Sequence, residues 1–250
     1  WSIMAEALYP YSREEAKREG ELERWRESHR ANISCARNLS GLIDTHARQG
    51  QLEPDTAQFA LKQWGVLRVQ FVLSNTLCGA STQEFDPDAL HWARTACVPP
   101  DKTNGEFKIR ADSTLLAQFV QQVHAEYQAL GMFGPEHCGC ADQDYTGKVL
   151  VLRPNRLKDE CWSAQNQLWL GEMGFGCSPT ASGRAVYATC LGDGEKTRWN
   201  RADFLGVLDE QHLPDWAAEK LAELRGTTQK QADHSQERTD SPAQGGMELR

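Results

Sequence analysis

The chain has 250 residues, 40% of them hydrophobic, enough to build real cores, so wholesale disorder is excluded. Its formal charge of −8 carries no basic stretch of the kind that announces non-specific nucleic-acid binding. No apolar run reaches the roughly 18 residues that span a bilayer, and Trp1 to Glu6 lacks the features of a secretory leader, so a cytoplasmic protein without a membrane partner is expected. Eight cysteines in a chain of this size are expected as reduced thiols, several acting as small hydrophobes.

In chain order, Ser12 and Glu15 have the spacing of a capping box, with Tyr11 and Ala16 placed as a hydrophobic staple, so a helix is predicted to start at Ser12. Gly20 is expected to break it. Twelve of the nineteen residues from Ser12 to Arg30 are charged, so much of this surface must face water. Beyond Gly20 an apolar stripe of Leu22, Trp25, His29, Ile33, Ala36, Leu39 and Ile43 follows the helical period, with Gly50 as the expected stop. Pro54 suits an early position of a next helix carrying Ala60, Trp64, Leu67 and Phe71 inward, and the run from Val66 to Leu73 reads as a central helix, with a strand open as the alternative.

A shorter helix is predicted with Asp86 as N-cap and Pro87 at its first position, followed by a loop over Val98 to Gly105. A last helix should run from Ser113 to Leu130 and stop at Gly131. The pattern then changes. Lys148 to Arg153, Gln167 to Glu172, Arg184 to Leu191, Lys196 to Asn200 and Phe204 to Leu208 read as strands, with Gly192-Asp-Gly194 as a hairpin turn. Pro214 opens a final amphipathic helix able to cover the sheet. The expected class is α+β: a helical domain over 8–131, a linker over 132–146, a small antiparallel-sheet and helix domain over 147–226, and a disordered tail over 227–250.

Four groups carry possible chemistry. His137, Cys138 and Cys140 offer zinc-type ligands, though a spacing of two to four residues is commoner and no second pair follows; the alternative is a Gly-rich linker with free thiols. The small-residue loop Gly174 to Arg184 could cradle an anion, but it lacks a P-loop ending and a following helix, and a plain strand connection is the favoured reading. Arg153, Arg156, Lys158, Arg184, Lys196, Arg198 and Arg201 interleave with Trp162, Trp169 and Trp199, a composition that could hold nucleic acid through the C-terminal sheet; acids scattered among them favour a solvated face. Cys35 and His29, six residues apart on a helix, do not share a face, and no GxSxG, HExxH or paired-carboxylate motif assigns a catalytic residue.

Tyr9-Pro-Tyr-Ser-Arg-Glu-Glu-Ala16, with Gly20-Glu-Leu and Trp25-Arg-Glu-Ser-His-Arg-Ala-Asn32 leading to Cys35, resembles the opening of a domain-of-unknown-function family carried mainly by gut Clostridia and related Firmicutes. Gln167 to Arg184, Asp193 to Phe204 and Leu213-Pro-Asp-Trp216 are similar to segments in proteins of the same mobile elements. The resemblance implies conjugative elements and phages, whose large polyvalent accessory proteins are suspected of protecting incoming DNA or countering host defence. On that basis a non-enzymatic protein-binding factor is expected, its partner a host defence nuclease such as a CRISPR effector or restriction enzyme. Nucleic-acid binding through the sheet and a cryptic zinc or thiol enzyme are the alternatives, and no cofactor is expected unless zinc. The polar residues Tyr11, Trp25, Glu27, Ser28, His29 and Asn32 are the first candidate binding surface, with helix capping and packing as the competing role; Arg184, Arg198 and Arg201 are the second.

Overall fold

The computed structural model describes residues 8–78, 83–95, 107–140, 142–157 and 162–226. The predicted loop at Val98 to Gly105 and the tail over 227–250 lie outside them. The class is α+β, with the helices first and an antiparallel sheet after.

Helix α1 (Arg13–Arg18) begins on Ser12, whose hydroxyl accepts from the Glu15 amide while the Glu15 carboxylate accepts from the Ser12 amide. This is the reciprocal capping box read from the sequence. The staple does not form as expected: Ala16 is buried but Tyr11 stands 47% exposed. Gly20, at φ 75°, separates α1 from α2 (Leu22–Thr45). Helix α2 stops short of Gly50, because Gln49 and Gly50 take φ values of 52° and 78° to turn a two-residue hairpin between β1 (Ala47–Arg48) and β2 (Gln51–Leu52).

The continuous helix expected after Pro54 is two helices, α3 (Thr56–Trp64) and α4 (Val66–Leu77), split at Gly65, whose φ of 74° no helix interior tolerates. Helix α4 is buried on several sides, as its composition implied, and is a helix throughout. Asp86 caps α5 (Pro87–Thr95) through its carboxylate to the Ala89 amide, and Asp112 caps α6 (Ser113–Ala129), which Gly131 closes.

A single-turn α7 (Ala164–Gln167) precedes β4 of a five-stranded sheet: β3 (Val149–Leu152), β4 (Leu168–Met173), β5 (Ala185–Cys190), β6 (Lys196–Asn200) and β7 (Phe204–Val207). The order is β6-β5-β4-β3-β7, all antiparallel. Consecutive strands β6 and β7 therefore occupy opposite edges, joined by one 3-10 turn, Arg201–Asp203. Four Cα steps reach roughly 15 Å, whereas five flat strands would put those edges about 19 Å apart. The sheet must curl. It becomes a partly closed barrel, filled by Leu150, Leu152, Trp169, Val186, Ala188, Cys190, Phe204 and the half-buried Trp199.

Helices and barrel both belong to one compact unit, Trp1–His212, and share a hydrophobic cluster running from Cys35 to Val207. The change of pattern at residue 132 marks a change of secondary structure inside that unit. The expected linker is tied down there: Gln167 accepts from the Phe133 amide and donates to the Phe133 and Leu152 carbonyls, and Cys138 bridges to Leu208. A second unit begins at Leu213 and contains α8, a helix over residues 215–226.

Candidate functional site: a groove on the barrel

Three strands place Met173, Tyr187 and Arg198 in one row, since Met173 pairs with Tyr187 and Tyr187 with Arg198. Period-two alternation turns this row outward while Val186, Ala188 and Trp199 face in. Phe175 stands beside the row on the turn after β4. Phe175 is 78% exposed, Met173 64% and Tyr187 46%, and with Asp144, Thr146, Cys177 and Arg198 they line an open groove of about 570 Å³. Single exposed apolar residues are ordinary; three large ones sharing one concavity make this groove the candidate site.

The groove is braced from beneath. Arg201 is only 6% exposed, and its guanidinium donates to the carbonyls of Gly176 and Cys177 at 2.9 and 2.8 Å and to Gln143 at 2.8 Å, while stacking 3.7 Å over the Tyr145 ring. One buried cation thus ties together both walls, the 143–146 segment and the 174–177 turn. Phe175 is fixed from the other side by Gly183: a Cβ there would sit 2.6 Å from the Phe175 Cβ, so the ring rests on bare backbone. Asp144, on the rim, accepts from the Thr146 amide at 2.7 Å, a bond that holds its carboxyl below the usual range. Burial raises the Tyr145 hydroxyl above its ordinary value, with Arg201 pulling the other way.

These positions bear on two of the alternatives read from the sequence. Arg201 is a buried anchor for three backbone carbonyls, unavailable to a phosphate, and Trp169 and Trp199 stack edge to face at 5.2 Å on the barrel's inner side. The loop from Gly174 to Arg184 turns carbonyls toward a guanidinium, the opposite polarity to an anion cradle. Arg184 and Arg198 are exposed as expected. Phe175, Met173 and Tyr187 escaped the sequence reading. An aromatic between two glycines and a Tyr out of phase with Val186, Ala188 and Cys190 were the available signals.

The N-terminal candidates divide. Ser28 and Asn32 are buried and accept from Arg68 of α4, Ser28 through its carbonyl and Asn32 through its side chain, and the Ser28 hydroxyl accepts from the Tyr9 amide. They pack the first helices. Trp25 and His29 stack at 4.9 Å, with Phe107 edge-on to His29 and Arg13 over Trp25. Glu27 is exposed. Tyr11 lies under the Arg156 guanidinium, 4.5 Å away, and Arg156 also donates to the Pro10 carbonyl and pairs with Asp203 at 2.8 Å, fastening this segment to the barrel.

Residues 8–128 match the family model described as "Protein of unknown function (DUF3849)". The match ends within α6, so the barrel and its groove lie beyond it. No curated protein and no solved structure matches the chain.

His137 closes a 3-10 turn, its Nδ1 accepting from the Gly134 amide at 2.9 Å and its ring edge-on to His212. Cys138 approaches the Gly134 carbonyl, burial pushes its thiol up to about 12, and Cys140 is exposed. Cys177 and Cys190, which would have to complete a zinc site, are buried in the groove wall and the barrel core; Cys161 lies outside the described residues. Among the described residues the grouping that comes within metal-ligand reach is elsewhere, at His46, Glu53 and Asp55, where His46 Nδ1 already pairs with Glu53 at 3.0 Å and Arg48 approaches the same carboxylate. Burial also lifts the Cys35 and Cys190 thiols to about 12 and about 11, which leaves little thiolate at neutral pH.

Proposed function

We propose that the chain is a non-enzymatic protein-binding accessory factor of a bacterial mobile genetic element, acting in the cytoplasm as an inhibitor of a host defence nuclease such as a CRISPR effector or restriction enzyme. The observation that supports protein binding is the exposed, braced row of Met173, Phe175 and Tyr187. Large aromatic anchors held rigid before binding lose little conformational entropy on contact, which is the character of interface hot spots. The mobile-element setting rests on the resemblance of Tyr9 to Cys35 and of Gln167 to Phe204. No helix among the described residues is long and apolar enough to cross a membrane.

The test is phage plating on a bacterial host equipped with a defined defence nuclease, with and without the chain. Wild type restores plating, and Phe175→Ser with Tyr187→Ser abolishes the effect. Full activity in that double variant, or no protection by wild type against a panel of nucleases, counts against the proposal. Arg198 beside Tyr187 and Phe175 also favours a second reading, single-stranded nucleic acid stacked on those two rings.

A further inference from the structure

We propose that the groove takes an extended segment of a partner protein carrying a carboxylate side chain two residues from a bulky apolar one. The inference rests on the docking reading above and adds the chemistry of the occupant.

Charge decides the first half of that motif. The cations around the groove are mostly engaged: Lys196 pairs with Glu172 at 3.4 Å, Arg156 with Asp203, Arg153 donates to the Ala202 carbonyl, and Arg201 is buried on its three carbonyls. Arg184 and Arg198 differ. Both are exposed, and neither guanidinium has an ion-pair or hydrogen-bond partner among the described residues. Arg198 lines the groove directly, and Arg184 precedes the lining residue Ala185. The one lining acid among the described residues, Asp144, accepts from the Thr146 amide through one oxygen and stays ionised on the rim, set against two exposed guanidiniums. The groove therefore offers unsatisfied planar donors suited to a carboxylate, which a guanidinium can grip in a fork.

Magnitude then separates a peptide from a nucleic acid. Two arginines neutralise two phosphates, and each contributes a salt slope of only about 0.7 on a single strand, far short of the several contacts that give such binding its strength. The remaining charge of the chain works against a polyanion, since the whole carries −8. A single carboxylate avoids most of that repulsion, because at physiological ionic strength charges beyond about 8 Å are screened.

Geometry supplies the spacing. Arg198 and Tyr187 are directly opposite on adjacent strands, which puts their Cβ atoms roughly 5 Å apart, with Phe175 and Met173 beyond. Same-face side chains of an extended peptide lie about 6.6 Å apart. An acid over Arg198 and an apolar residue over Tyr187 and Phe175 are then two positions apart. A volume near 570 Å³ holds one or two bulky side chains, so a short segment is the fitting occupant.

The probe is a phage-displayed library of random twelve-residue peptides panned on the immobilised full chain, with the best binder then measured by fluorescence polarisation. The expected enrichment is Asp or Glu two positions from Phe, Tyr, Trp or Leu. Affinity should fall about tenfold or more on Arg198→Glu, on Phe175→Ser, and on replacing the peptide acid by its amide. Both substituted side chains of the protein are exposed, and unchanged thermal melting of the two variants confirms an intact fold. Peptides that depend on Phe175 but show no acid and no response at Arg198 would overturn this inference while leaving the docking reading standing. No enrichment, or binding indifferent to Phe175→Ser, overturns both. A 20-residue oligothymidylate that binds more tightly than any peptide, with a steep salt dependence, assigns the groove to nucleic acid instead.

Discussion

Arg198 and Arg201 sit three residues apart with opposite roles, and the difference is burial. Arg201 satisfies three backbone carbonyls at 2.8–2.9 Å from beneath the groove, so its truncation leaves those of the buried Gly176 and Cys177 without this donor. Arg201→Ala should lower the unfolding free energy by about 3 kcal/mol in a urea titration, whereas Arg198→Glu should stay within about 0.5 kcal/mol. Equal effects would mean that Arg201 does not brace the groove. Loss of ligand binding on changing Arg201 would accordingly say nothing about direct contact. The sequence held part of this distinction: on a strand, Arg198 and Trp199 must point to opposite faces, so a single face could never have offered both charge and indole. What it could not give is which 3-10 turn would carry Arg201 under the opposite loop. That depends on the curl of the whole sheet.

Local chemistry was the most legible level among the elements. The reciprocal Ser12 and Glu15 bonds, the Asp86 cap before Pro87, the stop at Gly131 and the turn at Gly192 to Gly194 all depend on a few neighbouring residues, and each appears where the sequence put it. Gly65 was missed because helical periodicity continues on both sides and hides a single positive φ, whereas Gly50 was read only as a helix stop because strands of two residues carry no alternating pattern. The capping box also sets a pH response. The Ser12 amide holds the Glu15 carboxyl below its ordinary value, despite partial burial that pushes the other way. Its folded value is depressed, so its contribution to stability is complete above the unfolded value of about 4.3 and fades as pH falls through the folded one. Between about pH 5 and pH 3 wild type should lose more stability than Glu15→Gln, as read from urea midpoints. Parallel curves for the two proteins would contradict the cap.

At the scale of the molecule, the helices and the barrel share one hydrophobic cluster, and Arg156 to Pro10, Arg153 to Thr95 and Gln167 to Phe133 stitch the two parts together over long sequence distances. No local pattern encodes such contacts, which is why a boundary at residue 132 looked sharper in sequence than it is in the packed unit. The same reason hid the groove. Its walls come from residues 144–146, 173–187 and 198, and the pairing of β4 with β5 and of β5 with β6 brings them together. Meanwhile the polar cluster that stood out near the N-terminus is largely spent on packing, with Ser28 and Asn32 holding Arg68 and Tyr11 lying beneath Arg156. The central claim is that partners dock on the barrel. Amide chemical-shift mapping of the isotope-labelled full chain, titrated with the best displayed peptide, tests it most directly. The predicted result is a cluster of shifts confined to residues 144–146, 173–187 and 198; shifts concentrated between Tyr11 and Asn32 with the barrel unmoved would contradict it.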